Sequence, residues 1–394
     1  MAIGLLRGLQ RVGRQRERIA CAQLAVDALR GLGGPAAERA LARVAAFADG
    51  PGDRVLAAVS RASRLALRRR DERAFGLAEA TRYRLDASWA ADAGFERARS
   101  AYERCGDTIG LAALLHDHGE RQMIKGYVAE AEAALRRAHG LYADLGDRLG
   151  QALALDILTT GPLYRGDVDE ATRIAAEARA MYEAEGAAYR GDGTLATEAW
   201  VAFLTGPPER ILERAEAAAR SVERYGGVAL EAALVRCNAH AVLGDVDGMA
   251  REARRILAAV GAEDHPAFAT SLAHHRLAWS LARMGRTDEA ARHLASEVAL
   301  CRVLGGPRQV ARLAASAGVL AVACGRVSEG AELLALSWHH PMKDQGLVNQ
   351  LPRPLGALGV ALPPPKPPAD ALDDEVLLSR IDALLTNVVG GTSA

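Results

Sequence analysis

The feature that most constrains this chain is a glycine that recurs about every forty residues. Each of these glycines opens a short turn, as in Gly166-Asp-Val-Asp-Glu-Ala, and in most units a second glycine follows about twenty residues later. Glycine adopts the left-handed conformation that ends a helix, and an Asp, Ser or Thr behind it caps the next helix. The turn glycines are Gly126, Gly166, Gly206, Gly244, Gly285 and Gly325, and the second glycines are Gly146, Gly186, Gly226, Gly261 and Gly305.

Each forty-residue unit is therefore predicted to be an antiparallel pair of helices. One pair cannot bury its apolar face alone, but stacked pairs can. Composition agrees, because aromatic residues make up only 4% of the chain while Ala and Leu are abundant, which favours helices over strands. The sequence predicts an all-α fold, an α-solenoid in which the helix pairs form a right-handed superhelix.

A small residue recurs seven positions before each turn glycine, where paired helices would cross closely. In this respect the units resemble tetratricopeptide repeats with lengthened helices, although Ile211 and Met249 stand where that family prefers Ala. A period near 40 instead of 34 resembles the helical sensor regions of bacterial signal-transduction ATPases and transcription activators. The resemblance covers about residues 70–340, and it implies that the first helix of each pair lines a concave groove. The small residues are Gly119, Thr159, Ala199, Cys237, Ala278 and Gly318.

Composition divides the chain into four segments. The first is basic, with 17 Arg against 8 acidic residues, and its breakers predict helices near 14–32, 36–48, 53–69 and 72–85. The third is rich in Pro and reads as a linker, and the fourth begins with an acidic first turn. The segments are an N-terminal helical segment of irregular repeats (1–85), the repeat array (86–340), the Pro-rich linker (341–371) and a C-terminal amphipathic helix with a frayed tail (372–394).

Charge and cysteine usage exclude several classes of protein. Lys+Arg and Asp+Glu are both 49, so the formal net charge is zero, which excludes a polyanion binder held by global charge. The five cysteines are odd in number and lack C-x-x-C spacing, so neither a disulfide framework nor a zinc site is predicted. No apolar run reaches the ~18 residues of a membrane span, and the N-terminus lacks a secretory signal. A cytoplasmic location is predicted.

Enzyme signatures are missing from the sequence. It has no phosphate-binding G-x-x-x-x-G-K-[ST], no G-x-G-x-x-G after a strand, no H-E-x-x-H and no G-x-S-x-G. We therefore predict a non-catalytic protein that needs no cofactor. His116-Asp117-His118, His274-His275 and His339-His340 raise the question of a metal, but adjacent side chains on a helix point about 100° apart. Surface or groove histidines are the favoured interpretation, and no metal site is predicted.

Two further motifs leave alternatives open. Arg68-Arg69-Arg70 would suit nucleic acid or anionic lipid, but no aromatic residues interleave and Asp71 follows at once, so a solvated helix face is favoured. Gly161-Pro162 falls inside a predicted first helix, where Pro removes a backbone hydrogen bond. The result is either a bend that adjusts the superhelix or a kink that opens a ligand pocket.

The resemblance also selects groove residues, at 13, 10, 6, 3 and 2 positions before each turn glycine. The three Lys residues of the chain are not among them, which excludes the carboxylate clamp known in this family. The set predicts an aromatic and mildly polar trough for an apolar or mixed peptide; the alternative is that Trp200 and Trp279 fill the core between repeats. The predicted groove residues are His116, Glu120, Met123, Asp156, Thr160, Tyr164, Trp200, Phe203, Asn238, His275, Trp279 and Arg283.

The sequence thus predicts a protein–protein interaction module that binds a peptide or partner protein in its groove, in bacterial signalling or complex assembly. The alternative function is an effector-sensing regulatory subunit of a separate ATPase or transcription regulator, which binds a small molecule or peptide. No membrane partner is expected, and nucleic acid would concern only the basic residues 1–85. The sequence does not assign an oligomeric state.

Overall fold

The computed structural model describes residues 53–85, 93–187, 208–224, 229–262, 267–340 and 374–390. These residues form helices joined by short turns, with no strand among them. The helices are α1 (Asp53–Arg69), α2 (Glu72–Leu85), α3 (Ala93–Cys105), α4 (Thr108–Lys125), α5 (Val128–Asp144), α6 (Arg148–Leu158), α7 (Thr160–Arg165), α8 (Val168–Ala184), α9 (Pro208–Arg224), α10 (Ala229–Leu243), α11 (Val246–Ala262), α12 (Ala267–Arg283), α13 (Thr287–Leu304), α14 (Pro307–Ala323), α15 (Val327–His339) and α16 (Asp374–Gly390).

The fold is an all-α solenoid of antiparallel helix pairs, as the forty-residue period predicts. The first helices of the described repeats are α2, α4, α6 with α7, α10, α12 and α14. The second helices are α3, α5, α8, α9, α11, α13 and α15. The predicted helices at 53–69 and 72–85 are confirmed as α1 and α2, and those near 14–32 and 36–48 lie outside the described residues. Most of the N-terminal segment, the Pro-rich linker and the last four residues lie outside the described residues.

The glycine turns have the predicted geometry. Gly126 and Gly166 end α4 and α7 with φ of 101° and 76°, the left-handed region that costs glycine little. Gly261 is an exception, because α11 continues past it to Ala262. The other glycines with positive φ that stand at the predicted turns are Gly146, Gly186, Gly244, Gly285, Gly305 and Gly325.

Aspartates cap the helices that follow several of these turns. The Asp147 carboxylate accepts a hydrogen bond from the Gly150 N–H at 2.9 Å, at the start of α6. Asp107, Asp167 and Asp245 accept a hydrogen bond from the N–H three residues further on in the same way. Each cap satisfies one of the backbone donors that a helix start leaves without a partner, which fixes where the helix begins.

Close helix crossings lie where the small residues predict them. A Cβ atom on Gly119 would lie 2.5 Å from Leu135 Cγ, and one on Gly318 would lie 2.7 Å from Leu334 Cγ. Ala278 is completely buried at the corresponding position of α12. Any larger residue at these positions would push the paired helices apart, so the small residues set the spacing within each repeat.

Tyrosines mark the joint between one repeat and the next. Tyr102 and Tyr142 lie near the ends of α3 and α5, forty positions apart. A Cβ atom on Gly110 would lie 2.5 Å from the Tyr102 ring, and Gly150 packs against Tyr142 in the same manner. The ring of one repeat therefore occupies space that a missing side chain leaves in the first turn of the next repeat.

One described first helix is broken. The helix that leads to Gly166 stops at Leu158 and resumes at Thr160 as the short α7, which contains Pro162. Proline has no N–H to donate and its ring excludes straight helix geometry, so the break follows from the sequence. The buried Glu132 carboxylate lies directly beside Gly161, so a Cβ atom at that position would displace the carboxylate.

The first helices lie on the inner side of the solenoid. The neighbouring first helices α12 and α14 pack against each other, as do α4 and α6, and α4 also contacts α14 from the far side. Every residue of α14 from Arg308 to Ala321 is buried. The helix α16 docks against α13 and α14 and covers the end of the array.

Candidate functional site: the inner face

The inner face consists of the side chains that the first helices direct toward the middle of the solenoid. Of the predicted groove residues, Glu120 and Arg283 are exposed. Trp200 and Phe203 lie outside the described residues. The half-buried members of the predicted set are His116, Asp156, Thr160, Tyr164 and Asn238.

Three predicted groove residues belong to the core instead. Met123 packs with the apolar residues of α5, α6 and α8, and Trp279 belongs to the largest apolar cluster, which spans α10 to α16. His275 is completely buried, with its Nδ1 atom 2.6 Å from the Ser316 hydroxyl oxygen of α14. The alternative that Trp279 fills the core is therefore correct. The physical reason is that each first helix has neighbours on three sides, so only a narrow stripe of it faces inward.

Two distant parts of the inner face meet in one contact. The Arg308 guanidinium of α14 stacks over the Tyr164 ring at 3.9 Å and donates a hydrogen bond of 2.7 Å to its hydroxyl. The Gln309 amide donates to the Ile124 carbonyl at 3.3 Å. That carbonyl lies in the last turn of α4, where no helical N–H reaches it. We call these four residues the clasp; Arg308 and Tyr164 stand 144 positions apart in the sequence.

Close backbone approach supports the clasp. Gly306 precedes α14 with φ of 103°, and a Cβ atom there would lie 2.9 Å from the Lys125 carbonyl oxygen. Glycine is required here both for its positive φ and for the space. Cation–π stacking and one side-chain hydrogen bond then join α7 to the start of α14, and the Gln309 hydrogen bond joins the end of α4 to it. Among the described residues, this contact is what closes the inner face on itself.

Buried charges between residues 108 and 340 divide by sign between the two kinds of helix. Among the described residues of this range, the buried basic side chains belong to first helices and the buried acidic ones belong to second helices; Glu79, buried on the first helix α2, lies before it. Several contacts of the basic side chains are to neutral groups, such as the Asn238 carbonyl oxygen 3.1 Å from Arg276 and the Phe268 ring 5.2 Å from Arg312. The basic residues are Arg121, Lys125, Arg276, Arg308 and Arg312, and the acidic ones are Glu132, Glu252 and Glu297.

A second cluster of polar and aromatic side chains lies at the N-terminal end of the inner face. The His118 ring stacks on Phe95 with centroids 3.8 Å apart, and its Nδ1 atom lies 2.8 Å from the Tyr83 hydroxyl. The Arg121 guanidinium lies over the Tyr83 ring at 4.0 Å and also donates to the Tyr83 carbonyl. His118 is thus held by an aromatic pair. The part of the chain that the structure describes contains no group of three or more potential metal ligands.

Burial and neighbouring charges shift several pKa values near the inner face. Burial raises the pKa of Glu297 to about 8, because Arg312, Ser316 and Arg276 only partly offset it. Burial lowers the pKa of His275 well below its ordinary value, and Arg276 and Arg312 lower it further. Burial also lowers the pKa of His116, but the hydrogen bond and charge of Asp117 and the charge of Glu120 raise it by more. At neutral pH the buried basic side chains therefore face a neutral His275.

Some of these residues are predictable from the sequence and others are not. Tyr164 and Asn238 follow from the repeat register. Arg308 and Gln309 do not, because they stand 17 and 16 positions before Gly325, outside the spacing that selects groove residues. Arg312 stands 13 positions before Gly325, at a position that the spacing selects, but it is absent from the predicted set. Tyr83 and Phe95 lie before the first clear turn glycine, where the register cannot be read.

Comparisons with known proteins concern the fold. No family model matches the chain, and no curated protein matches its sequence. The structure is similar to that of a Rap protein complexed with competence and sporulation factor, with a TM-score of 0.54 and 10% identity over 99% of this chain and 98% of that one. The fold is a tetratricopeptide-like helical repeat.

Two more solved structures were compared. One is a signal-transduction ATPase with numerous domains from Pyrococcus horikoshii that carries a tetratricopeptide repeat sensor, with a TM-score of 0.41 and 13% identity over 85% of this chain and 54% of that one. The other is a circular tandem repeat protein, with a TM-score of 0.20 and 17% identity over 99% of this chain and 93% of that one. None of the described helices is long and apolar enough to cross a bilayer.

Proposed function

We propose that the chain is a non-catalytic interaction module that binds a peptide or a segment of a partner protein along its inner face. The observation that carries this proposal is the polar lining of that face. Half-buried His116, Asp156, Tyr164 and Asn238 stand on the first helices, and exposed Glu120 and Arg283 lie on the same helices. Such groups satisfy the backbone N–H and C=O groups of an extended segment, which an apolar groove cannot do.

The comparison with known structures supports the same proposal. A Rap protein of similar architecture holds a competence and sporulation factor, so an array of this shape is able to bind a signalling factor. For the present chain we propose a mixed, partly polar ligand. Trp279 is buried in the core, so the aromatic character predicted from the sequence is reduced on the described inner face.

Affinity capture from the native host tests the proposal when inner and outer charges are reversed in parallel. The inner variants are Glu120→Lys and Arg283→Glu, and the outer controls are Arg137→Glu on α5 and Arg292→Glu on α13. All four residues are exposed, so folding should survive each change. We expect both inner variants to lose the captured partner and both controls to retain it. Loss in the outer variants with retention in the inner ones would contradict the proposal.

The clasp favours the second candidate function, an effector-sensing subunit whose superhelix tightens on binding. The ends of the inner face meet through a few polar interactions, including the contact between Arg308 and Tyr164. Forming or breaking this contact would switch the superhelix between a closed and an open state. Arg308→Ala should raise the radius of gyration in solution scattering, and an effector should lower it in the wild-type chain. An unchanged radius in both experiments would remove this candidate while leaving the binding module intact.

A further inference from the structure

A cleft of about 180 Å³ lies between the second helices α5 and α8, away from the inner face. The first helix between them is broken at Thr159, and Leu158 and Pro162, on either side of the break, line the cleft. Its floor is aliphatic, and each floor residue is largely buried. The floor residues are Leu155, Leu158, Pro162 and Ile174.

The wall of the cleft carries both signs of charge. Arg136 comes from α5, while Arg173, Glu170 and Glu177 come from α8, so cations stand on both sides and carboxylates on one. His139 also lines the cleft, and its buried Nε2 atom has no hydrogen-bond partner among the described residues. The lining thus combines two guanidinium groups and two carboxylates with an aliphatic floor. It is suited to a small molecule that carries an anionic group, a cationic group and an aliphatic group.

The charged groups of α8 are held loosely. Arg173 lies 3.6 Å from Glu177, and Glu170 lies 3.5 Å from Arg165, both at the long end for ion pairs. Partly exposed pairs of this geometry contribute little free energy, so they can turn toward a ligand at small cost. By contrast, Arg136 is bound to the buried Glu132 carboxylate at 2.8 Å, which holds its guanidinium in place beside the cleft.

We propose that this cleft binds a free amino acid with a branched aliphatic side chain. The side chain would lie on the floor formed by Leu155, Leu158 and Ile174. The α-carboxylate would pair with the guanidinium groups of Arg136 and Arg173, and the α-ammonium with Glu177 or Glu170. Pockets for drug-sized ligands measure about 300–1,000 Å³, so a cleft of 180 Å³ selects a much smaller molecule.

This site is separate from the proposed peptide-binding face. The cleft residues belong to α5, α6, α7 and α8, and none of the clasp residues except Tyr164 lies on these helices. A ligand here would press on α7, which carries both Pro162 of the cleft floor and Tyr164 of the clasp. The proposal concerns the cleft alone and does not depend on the function of the inner face.

Isothermal titration calorimetry of the full chain with L-leucine tests the proposal. Three analogues each remove one part of the ligand: leucinamide lacks the carboxylate, N-acetyl-leucine lacks the ammonium and glycine lacks the side chain. We expect saturable one-to-one binding of leucine, with each analogue bound at least about tenfold more weakly. Absence of saturable heat up to ten millimolar leucine, or equal binding of glycine, would overturn the proposal.

Neighbouring residues supply matched variants for the same titration. Arg136 and Arg137 both lie on α5, and each pairs with one glutamate: Arg136 with Glu132 on the same helix and Arg137 with Glu103 on α3. Only Arg136 lines the cleft. Arg136→Ala and Arg173→Ala should each weaken leucine binding at least about tenfold, while Arg137→Ala should leave it unchanged. Because Arg173 is largely exposed, its variant remains informative if Arg136→Ala misfolds. Leucine binding that survives in Arg173→Ala would overturn the assignment.

Discussion

The repeats on either side of residue 200 have the same pattern but differ in what surrounds them. In the N-terminal repeats, Glu132 is buried with two arginine partners, one helix is broken and a cleft opens to the outside. In the C-terminal repeats, α14 is covered on all sides and Glu297 is buried against a neutral histidine. The difference indicates that the C-terminal end of the solenoid is densely packed around α14, and we call this end the platform. The N-terminal end carries the surfaces that are able to adapt.

The largest expected effect comes from truncating a buried side chain of α16, the helix that covers the platform. Ile381 of α16 is completely buried against α13 and α14. Ile381→Ala should lower the free energy of unfolding by about 2–4 kcal/mol, because a cavity remains where the side chain was. Chemical denaturation measures the change, and Thr386→Ala on the exposed side of α16 is the control. Equal stability of the two variants would mean that α16 does not contribute to the platform.

The two buried glutamates should respond to pH with opposite signs. The pKa of Glu297 is raised to about 8, so its protonated form adds stability that is complete below about pH 4.5 and is lost as the pH rises through 8. Hydrogen bonds from Arg165 and Arg136 outweigh burial and lower the pKa of Glu132. Its ionised form therefore adds stability that is lost as the pH falls below about 4.5.

Glutamine variants measure this contrast. Relative to Glu297→Gln, the wild-type chain should lose about 2 kcal/mol of unfolding free energy between pH 5 and pH 7. Relative to Glu132→Gln, it should lose stability only in acid. Histidines that do not touch Glu297 contribute equally to all three proteins and cancel in the differences; His275, whose Nδ1 atom lies 3.4 Å from the Glu297 carboxyl group, is the exception. Parallel stability curves for Glu297→Gln and the wild type would contradict the burial of a neutral carboxyl group.

Close packing at the crossing of α12 and α13 gives the third prediction. Ala278→Leu should destabilise the chain by about 1–3 kcal/mol, because the added atoms force apart helices that are already in contact. Ala323→Leu, at an exposed position of α14, is the matched control. An unchanged melting temperature for Ala278→Leu would show that the repeat register is wrong.

The smallest expected effect concerns the caps, which the two ends of the solenoid share. Asp147→Ala should cost about 1 kcal/mol, and Asp245→Ala should cost a similar amount, because each leaves one backbone donor without its partner. Thermal unfolding measures both. Each cap acts only on the start of its own helix, so the two losses of stability should be similar. A much larger loss for one variant would show that the repeats at the two ends of the solenoid unfold in a different order.

Local features of the fold are predictable from the sequence, because caps and crossings act within one repeat. Gly166, Asp167 and Gly119 follow from the period and from the conformational freedom of glycine. The clasp is not predictable in this way, because the period relates each repeat only to its neighbours. It does not determine the pitch of the superhelix, which brings Arg308 to Tyr164. For the same reason the spacing placed His275 and Trp279 in the groove, although the next first helix covers them. Trp200 and Phe203 remain predictions.

Hydrogen exchange with and without the captured partner tests the central claim most directly. If the inner face binds the partner, peptides from the first helices α4 and α12 should gain protection, while those from the second helices α5 and α13 should exchange as before. Protection confined to α5 and α13 would place the partner on the outside of the solenoid and contradict the account.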